Sequence, residues 1–100
     1  MSVKISDVRG ALKGVKDPEL GLDLVVLGLV YDINVAEDQS VHVVISLTSP
    51  GCPVADKIVE DARTAVLGLE GVERAHVELT FEPPWTPERI SPLIRSSLGL

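Results

Sequence analysis

Residues 47–56 read LTSPGCPVAD and hold the single cysteine of the chain, Cys52, between Pro50-Gly51 and Pro53. A thiolate is both a nucleophile and a soft metal ligand, so the groups around the sulfur decide what it can do. Proline is favoured at the first helical position, where its missing N–H has no partner to lose. With Pro53 there, Cys52 becomes the N-cap and its sulfur lies near the N–H groups of Val54 and Ala55. Those donors lack helical partners, and the helix dipole adds partial positive charge. Both effects favour thiolate over thiol. Gly51 leaves the backbone bare for close approach by a ligand, and the two prolines stiffen the loop. The plain alternative is that a lone cysteine is a small buried hydrophobe.

Other reactive groups are few. Nucleophilic catalysis needs a base near the thiol, and the chain has only two histidines. His42 and His76 both fall on the polar faces of strand patterns and read as solvated strand residues. A structural zinc site takes about four ligands, usually several cysteines. One cysteine without a His-rich tract does not supply them. P-loop and GxGxxG patterns are absent, so nucleotide binding has no support. Asp17, Glu19 and Asp23 put three carboxylates within seven residues. They could ligate a hard metal or orient the thiol's partner, but Asp-Pro also simply starts turns. Asp23 precedes an apolar run and is expected to be half-buried, and a buried carboxylate needs donors. It is therefore the favoured acidic site residue, ahead of Asp17 and Glu19. Thr48 ends a strand just before the cysteine, where its hydroxyl could face the thiol or make a local turn bond.

The elements that must position these groups follow from periodicity. Val8, Leu12 and Val15 recur at helical spacing after Ser6, which predicts a helix over 7–14. Lys16-Asp17-Pro18 stops it. Residues 17–27 read as an ordered loop leading into a short extended segment. Leu29, Tyr31, Ile33 and Val35 alternate with Val30, Asp32 and Asn34, and Val41, Val43, Ile45 and Leu47 alternate with His42, Val44 and Ser46, with a turn at 36–40 between the two runs. The two runs predict a hairpin with matching apolar faces. Val54, Ile58, Ala62, Ala65, Val66 and Leu69 predict a helix over roughly 53–68, ended by Gly68 and Gly71. Ala75, Val77, Leu79 and Phe81 predict a third strand. Thr86 as N-cap and Pro87 at the first position open a last helix over 87–98, with Trp85 and Ile90 spaced as a hydrophobic staple. The order α-β-β-α-β-α, without repeat or linker, gives an α+β fold: a small two-layer sandwich of a three-stranded sheet with packed helices.

Composition sets the outer bounds. One hundred residues make one domain, 1–100. The chain is 45% hydrophobic with only three aromatics, so its core is aliphatic. Its net charge of −6, with nine scattered basic residues, lacks the basic footprint of nucleic-acid binding. An anionic membrane surface is disfavoured for the same reason, and no apolar run approaches the ~20 residues of a membrane helix. One cysteine excludes an intramolecular disulfide. The first residues carry no signal-peptide pattern, and the expected location is the cytoplasm, where a thiol stays reduced.

Four segments occur together in order: Asp17-Pro18-Glu19, Leu27-Gly28-Leu29-Val30-Tyr31-Asp32, Thr48-Ser49-Pro50-Gly51-Cys52-Pro53 and Pro83-Pro84-Trp85-Thr86-Pro87. Together they resemble the iron–sulfur cluster assembly domain family that includes SufT-like and PaaD-like proteins, over roughly residues 5–95. The resemblance implies a small α/β fold and a non-enzymatic role in maturing iron–sulfur or other metalloproteins. It maps the family's reactive cysteine onto Cys52, its acidic residue onto Asp23 and its strand-end threonine onto Thr48. Gly51 and Pro53 support the thiol, and Trp85 and Thr86 mark a candidate client surface. PaaD-type members carry a cysteine-rich tail, and other relatives a P-loop ATPase. Neither is matched here, so the stand-alone SufT-like reading fits best.

Clusters normally take four cysteine ligands, so Cys52 alone implies a labile iron or iron–sulfur ligand and no tightly bound cofactor. A homodimer would bring two thiols and leave positions for a recipient. The implied partners are apo iron–sulfur proteins or the cluster-assembly machinery. Two other readings stand beside this: a metal-free adaptor that docks client apoproteins, and a cysteine-dependent thiol enzyme. A disulfide reductase is disfavoured because the chain has no resolving cysteine.

Overall fold

The computed structural model describes residues 3–17, 21–48 and 55–98. Helix α1 (Ile5–Leu12) is followed by strands β1 (Val30–Val35) and β2 (Ser40–Ile45), helix α2 (Ala55–Leu67), strand β3 (Arg74–Leu79), a 3-10 turn at Pro87–Arg89 and helix α3 (Pro92–Leu98). The α+β class and the element order read from the sequence are those observed. The sheet order is β1-β2-β3. β1 and β2 form the expected antiparallel hairpin. β3 pairs with β2 in parallel after the crossover through α2.

β2 shows the cause of this arrangement most clearly. Its β-branched residues alternate, with Val41, Val43 and Ile45 buried and Ser40, His42 and Val44 partly exposed. The buried face meets Val8 and Leu12 of α1 and Ile58, Ala62 and Val66 of α2 in one core cluster. The α2 residues recur every four positions, which aligns them on one helix stripe. On its outer face Lys57 pairs with Asp61 at 2.7 Å and Arg63 with Glu60 at 3.1 Å, each contributing a few tenths of a kcal/mol.

Four details differ from the sequence reading. α1 begins at Ile5 with Lys4 as N-cap, because the Asp7 carboxylate accepts the Lys4 backbone N–H at 3.0 Å. β1 is not regular: its pairing shifts register between Val30 and Asp32, so Tyr31 sits at a bulge. Bulges bend a strand and re-aim a side chain. The last helix is also broken. Pro87–Arg89 forms only a short turn, Ile90 is extended (φ −77°, ψ 142°), and α3 starts anew at Pro92. Pro92 supplies no N–H to continue the earlier turn, but it suits a first helical position. Phe81 lies beyond β3, which ends at Leu79.

Candidate functional site

The acidic corner follows α1. Lys16 bridges Asp23 in antiparallel fashion. The Asp17 N–H donates to the Leu22 carbonyl at 2.9 Å, and the Gly21 N–H donates to the Asp17 carbonyl at 2.8 Å. These bonds close a small loop that leaves Asp17 with 0% exposure. From the other side, the chain continuing from β2 is held against β1's approach by Ser46 N–H donating to the Leu29 carbonyl at 2.8 Å. Two residues later the Thr48 hydroxyl donates to Asp17 Oδ2 at 3.2 Å. A buried carboxylate is costly without donors, and Thr48 provides one from 31 residues away in the chain.

Asp23 does something different. Its Oδ1 accepts the N–H groups of both Val25 and Val26 at 2.9 Å. That is an Asx-type cap on the turn that follows. The half-burial expected of Asp23 is observed, but the fully buried carboxylate that meets Thr48 is Asp17. Sequence reasoning ranked Asp17 lower because Asp-Pro reads as a plain turn. The signal that singles it out is a contact with Thr48, which no local pattern contains.

Cys52, Gly51 and Pro53 lie outside the described residues, as does Glu19. In sequence, Cys52 falls four residues after Thr48 and three before the first residue of α2. The Asp17–Thr48 pair therefore stands where β2 leads into the cysteine segment.

Trp85 and Thr86 belong to a second cluster. The Trp85 indole N–H donates to the Leu27 carbonyl at 2.6 Å. Arg89 Nε donates to the Gly28 carbonyl at 3.1 Å, and its guanidinium carbon lies 4.3 Å from the Tyr31 ring centroid. The Tyr31 hydroxyl donates to the Pro83 carbonyl at 2.7 Å. Two of the sequence motifs, residues 27–32 and 83–87, thus lock onto each other. Gly28 is required at their contact: its φ is +71°, and a Cβ there would stand 2.7 Å from the Arg89 carbonyl oxygen. Trp85 is half-buried and Thr86 exposed. The Thr86 hydroxyl beside Glu88 holds the Glu88 carboxyl below the usual glutamate range.

A third cluster was not anticipated. His42 on β2 and His76 on β3 are direct partners in the parallel register. Their rings stack with centroids 5.1 Å apart at 22°, and His42 Nε2 lies 3.4 Å from Glu78 Oε1. Each histidine is on the solvent face the sequence predicts. What the sequence reading missed is that aligning Val41 and Val43 with Ala75 and Val77 sets the two rings side by side.

The fold and the Asp17–Thr48 corner define a small α+β domain in which a buried carboxylate meets a hydroxyl three residues past the end of β2. Residues 5–79 match the family model described as iron–sulfur cluster assembly protein, and the chain belongs to that family. It is 43% identical to the Fe-S protein maturation auxiliary factor YitW of Bacillus subtilis, over 94% of this chain and 92% of that one. It is 37% identical to the Fe-S protein maturation auxiliary factor SufT of Staphylococcus aureus, over 84% of this chain and 96% of the relative. A solved conserved hypothetical protein from Thermotoga maritima shares 52% identity with a TM-score of 0.87, covering 99% of this chain and 97% of its own. Among the described residues, no helix is long and apolar enough to cross a membrane.

Proposed function

We propose that this chain is a non-enzymatic maturation factor that passes iron or an iron–sulfur cluster to apoproteins, with Cys52 as the transient ligand. The reading rests on membership of the iron–sulfur cluster assembly family and on relatives named as maturation auxiliary factors. The structural observation that carries it is the hydrogen bond from Thr48 to buried Asp17, four residues before the thiol. The pair fixes a carboxylate and a hydroxyl at the last described residue before the cysteine segment. In this account Asp17 takes the supporting role that sequence assigned to Asp23, and Asp23 shapes the loop around it.

The cargo is bound weakly by design of the ligand count. One thiolate per chain falls short of the four cysteines of a stable cluster. Two chains would supply two, and a recipient's thiols would complete the set as the cluster leaves. The sequence expectation that Cys52 caps the following helix would favour the thiolate that such a ligand needs. The chain acts in the cytoplasm on apo iron–sulfur proteins or on the machinery that loads them.

A maturation assay tests this. The protein, loaded anaerobically with iron and sulfide, is mixed with an apo-acceptor whose activity depends on a cluster. Wild type restores activity and Cys52→Ser does not. Equal restoration by Cys52→Ser would remove the thiol from the mechanism and favour a metal-free adaptor.

A further inference from the structure

We propose that the open face of the sheet carries a second metal site, independent of Cys52, in which His42, His76 and Glu78 bind a divalent late-transition-metal ion such as Zn2+. The strand register itself builds the site. Parallel pairing places His42 directly opposite His76, and Glu78 follows His76 by two residues, on the same face of β3. One ligand atom from each of the three side chains can be chosen so that all lie within 4.8 Å of one another. A tetrahedral ion with bonds of about 2.0–2.1 Å needs its ligand atoms about 3.3 Å apart. His42 Nε2 and Glu78 Oε1 are already at 3.4 Å. The remaining closure would come from side-chain rotation at a solvent face, where His76 and Glu78 are exposed and His42 is half-exposed.

The donor set chooses the ion. Two imidazoles and one carboxylate suit zinc and its neighbours in the first transition row, whereas calcium and magnesium prefer oxygen alone. Three protein ligands leave a fourth position for water, the pattern of an open site rather than a closed structural one. The ion would bridge β2 to β3, so binding raises the stability of the folded chain. The site's residues belong to neither the Asp17–Thr48 corner nor the Trp85 lock. The inference stands whether or not Cys52 carries iron.

The test is calorimetric titration of the whole chain with Zn2+ alone, on wild type, His42→Gln, His76→Gln, Glu78→Gln and Cys52→Ser. Wild type and Cys52→Ser take up one equivalent with the same affinity. Each of the three ligand variants, Glu78→Gln included, binds more than about tenfold more weakly, since losing a direct ligand costs at least the roughly 10- to 100-fold of losing an outer partner. A thermal scan gives the second readout. Zn2+ raises the midpoint of wild type and Cys52→Ser but not of the histidine variants, whose metal-free midpoints report that they remain folded. No uptake by wild type, uptake unchanged in both histidine variants, or uptake lost in Cys52→Ser alone would each overturn the proposal.

Discussion

Asp17 and Asp23 stand six residues apart and serve different ends. Asp17 is sealed in the fold and meets Thr48; Asp23 spends one carboxylate oxygen on two backbone N–H groups. The difference predicts distinct outcomes. Thr48→Val removes a donor to a buried carboxylate and lowers stability by about 1–3 kcal/mol in urea unfolding, while Thr48→Ser keeps most of it. A Thr48→Val chain as stable as wild type would show that the bond contributes nothing. Ser46 offers a contrasting case. Its buried hydroxyl has no hydrogen-bond partner among the described residues. Ser46→Ala deletes an unsatisfied polar group, so it is expected to leave stability unchanged or raise it by about 1 kcal/mol. A loss of 2 kcal/mol or more on the same scale would mean that the hydroxyl is bonded.

At the scale of elements, the contact between residues 27–32 and 83–89 decides how the chain's last third is attached. Three hydrogen bonds and one cation–π contact cross it. Gly28→Ala combines a left-handed backbone with a clash against Arg89. The expected cost is about 2–4 kcal/mol, with Trp85 fluorescence shifted to the red as the indole meets water. Unchanged emission and stability would contradict the lock. The hairpin was legible in the sequence because two alternating runs flank a polar turn, and α2 because its apolar residues keep one stripe. The bulge at Tyr31 was less so, because alternation continues in the sequence across it. The break before Pro92 was legible, since a proline inside a helix lacks the N–H that the preceding turn needs, but the reading of one helix over 87–98 passed over it. The lock itself joins motifs more than 50 residues apart, which periodicity does not register.

Over the whole molecule, the family resemblance carried further than local chemistry. Four motifs in order identified the family, and they pointed to Thr48, which lies three residues past β2 rather than at its end, as the place to look. They put the acidic site residue at Asp23, whereas the buried carboxylate that meets Thr48 is Asp17, because burial is decided by what packs from elsewhere. They also said nothing of His42 and His76, whose meeting depends on β3 pairing parallel with β2 after the α2 crossover. The proposed ligand count adds a prediction at this scale: with one thiol per chain, a cluster gathers two chains. Sedimentation of the loaded protein should therefore show a dimer that returns to monomer when the cluster is removed with a chelator. A loaded species that stays monomeric would contradict the shared-ligand arrangement.

The most direct measurement is anaerobic reconstitution with iron and sulfide of wild type beside Cys52→Ser, reading the visible spectrum and the iron bound per chain. Sulfur-to-iron charge-transfer absorbance and bound iron in wild type, both lost in Cys52→Ser, are the predicted result. Iron and absorbance equal in the two proteins, or absent from both, would contradict Cys52 as the carrier ligand.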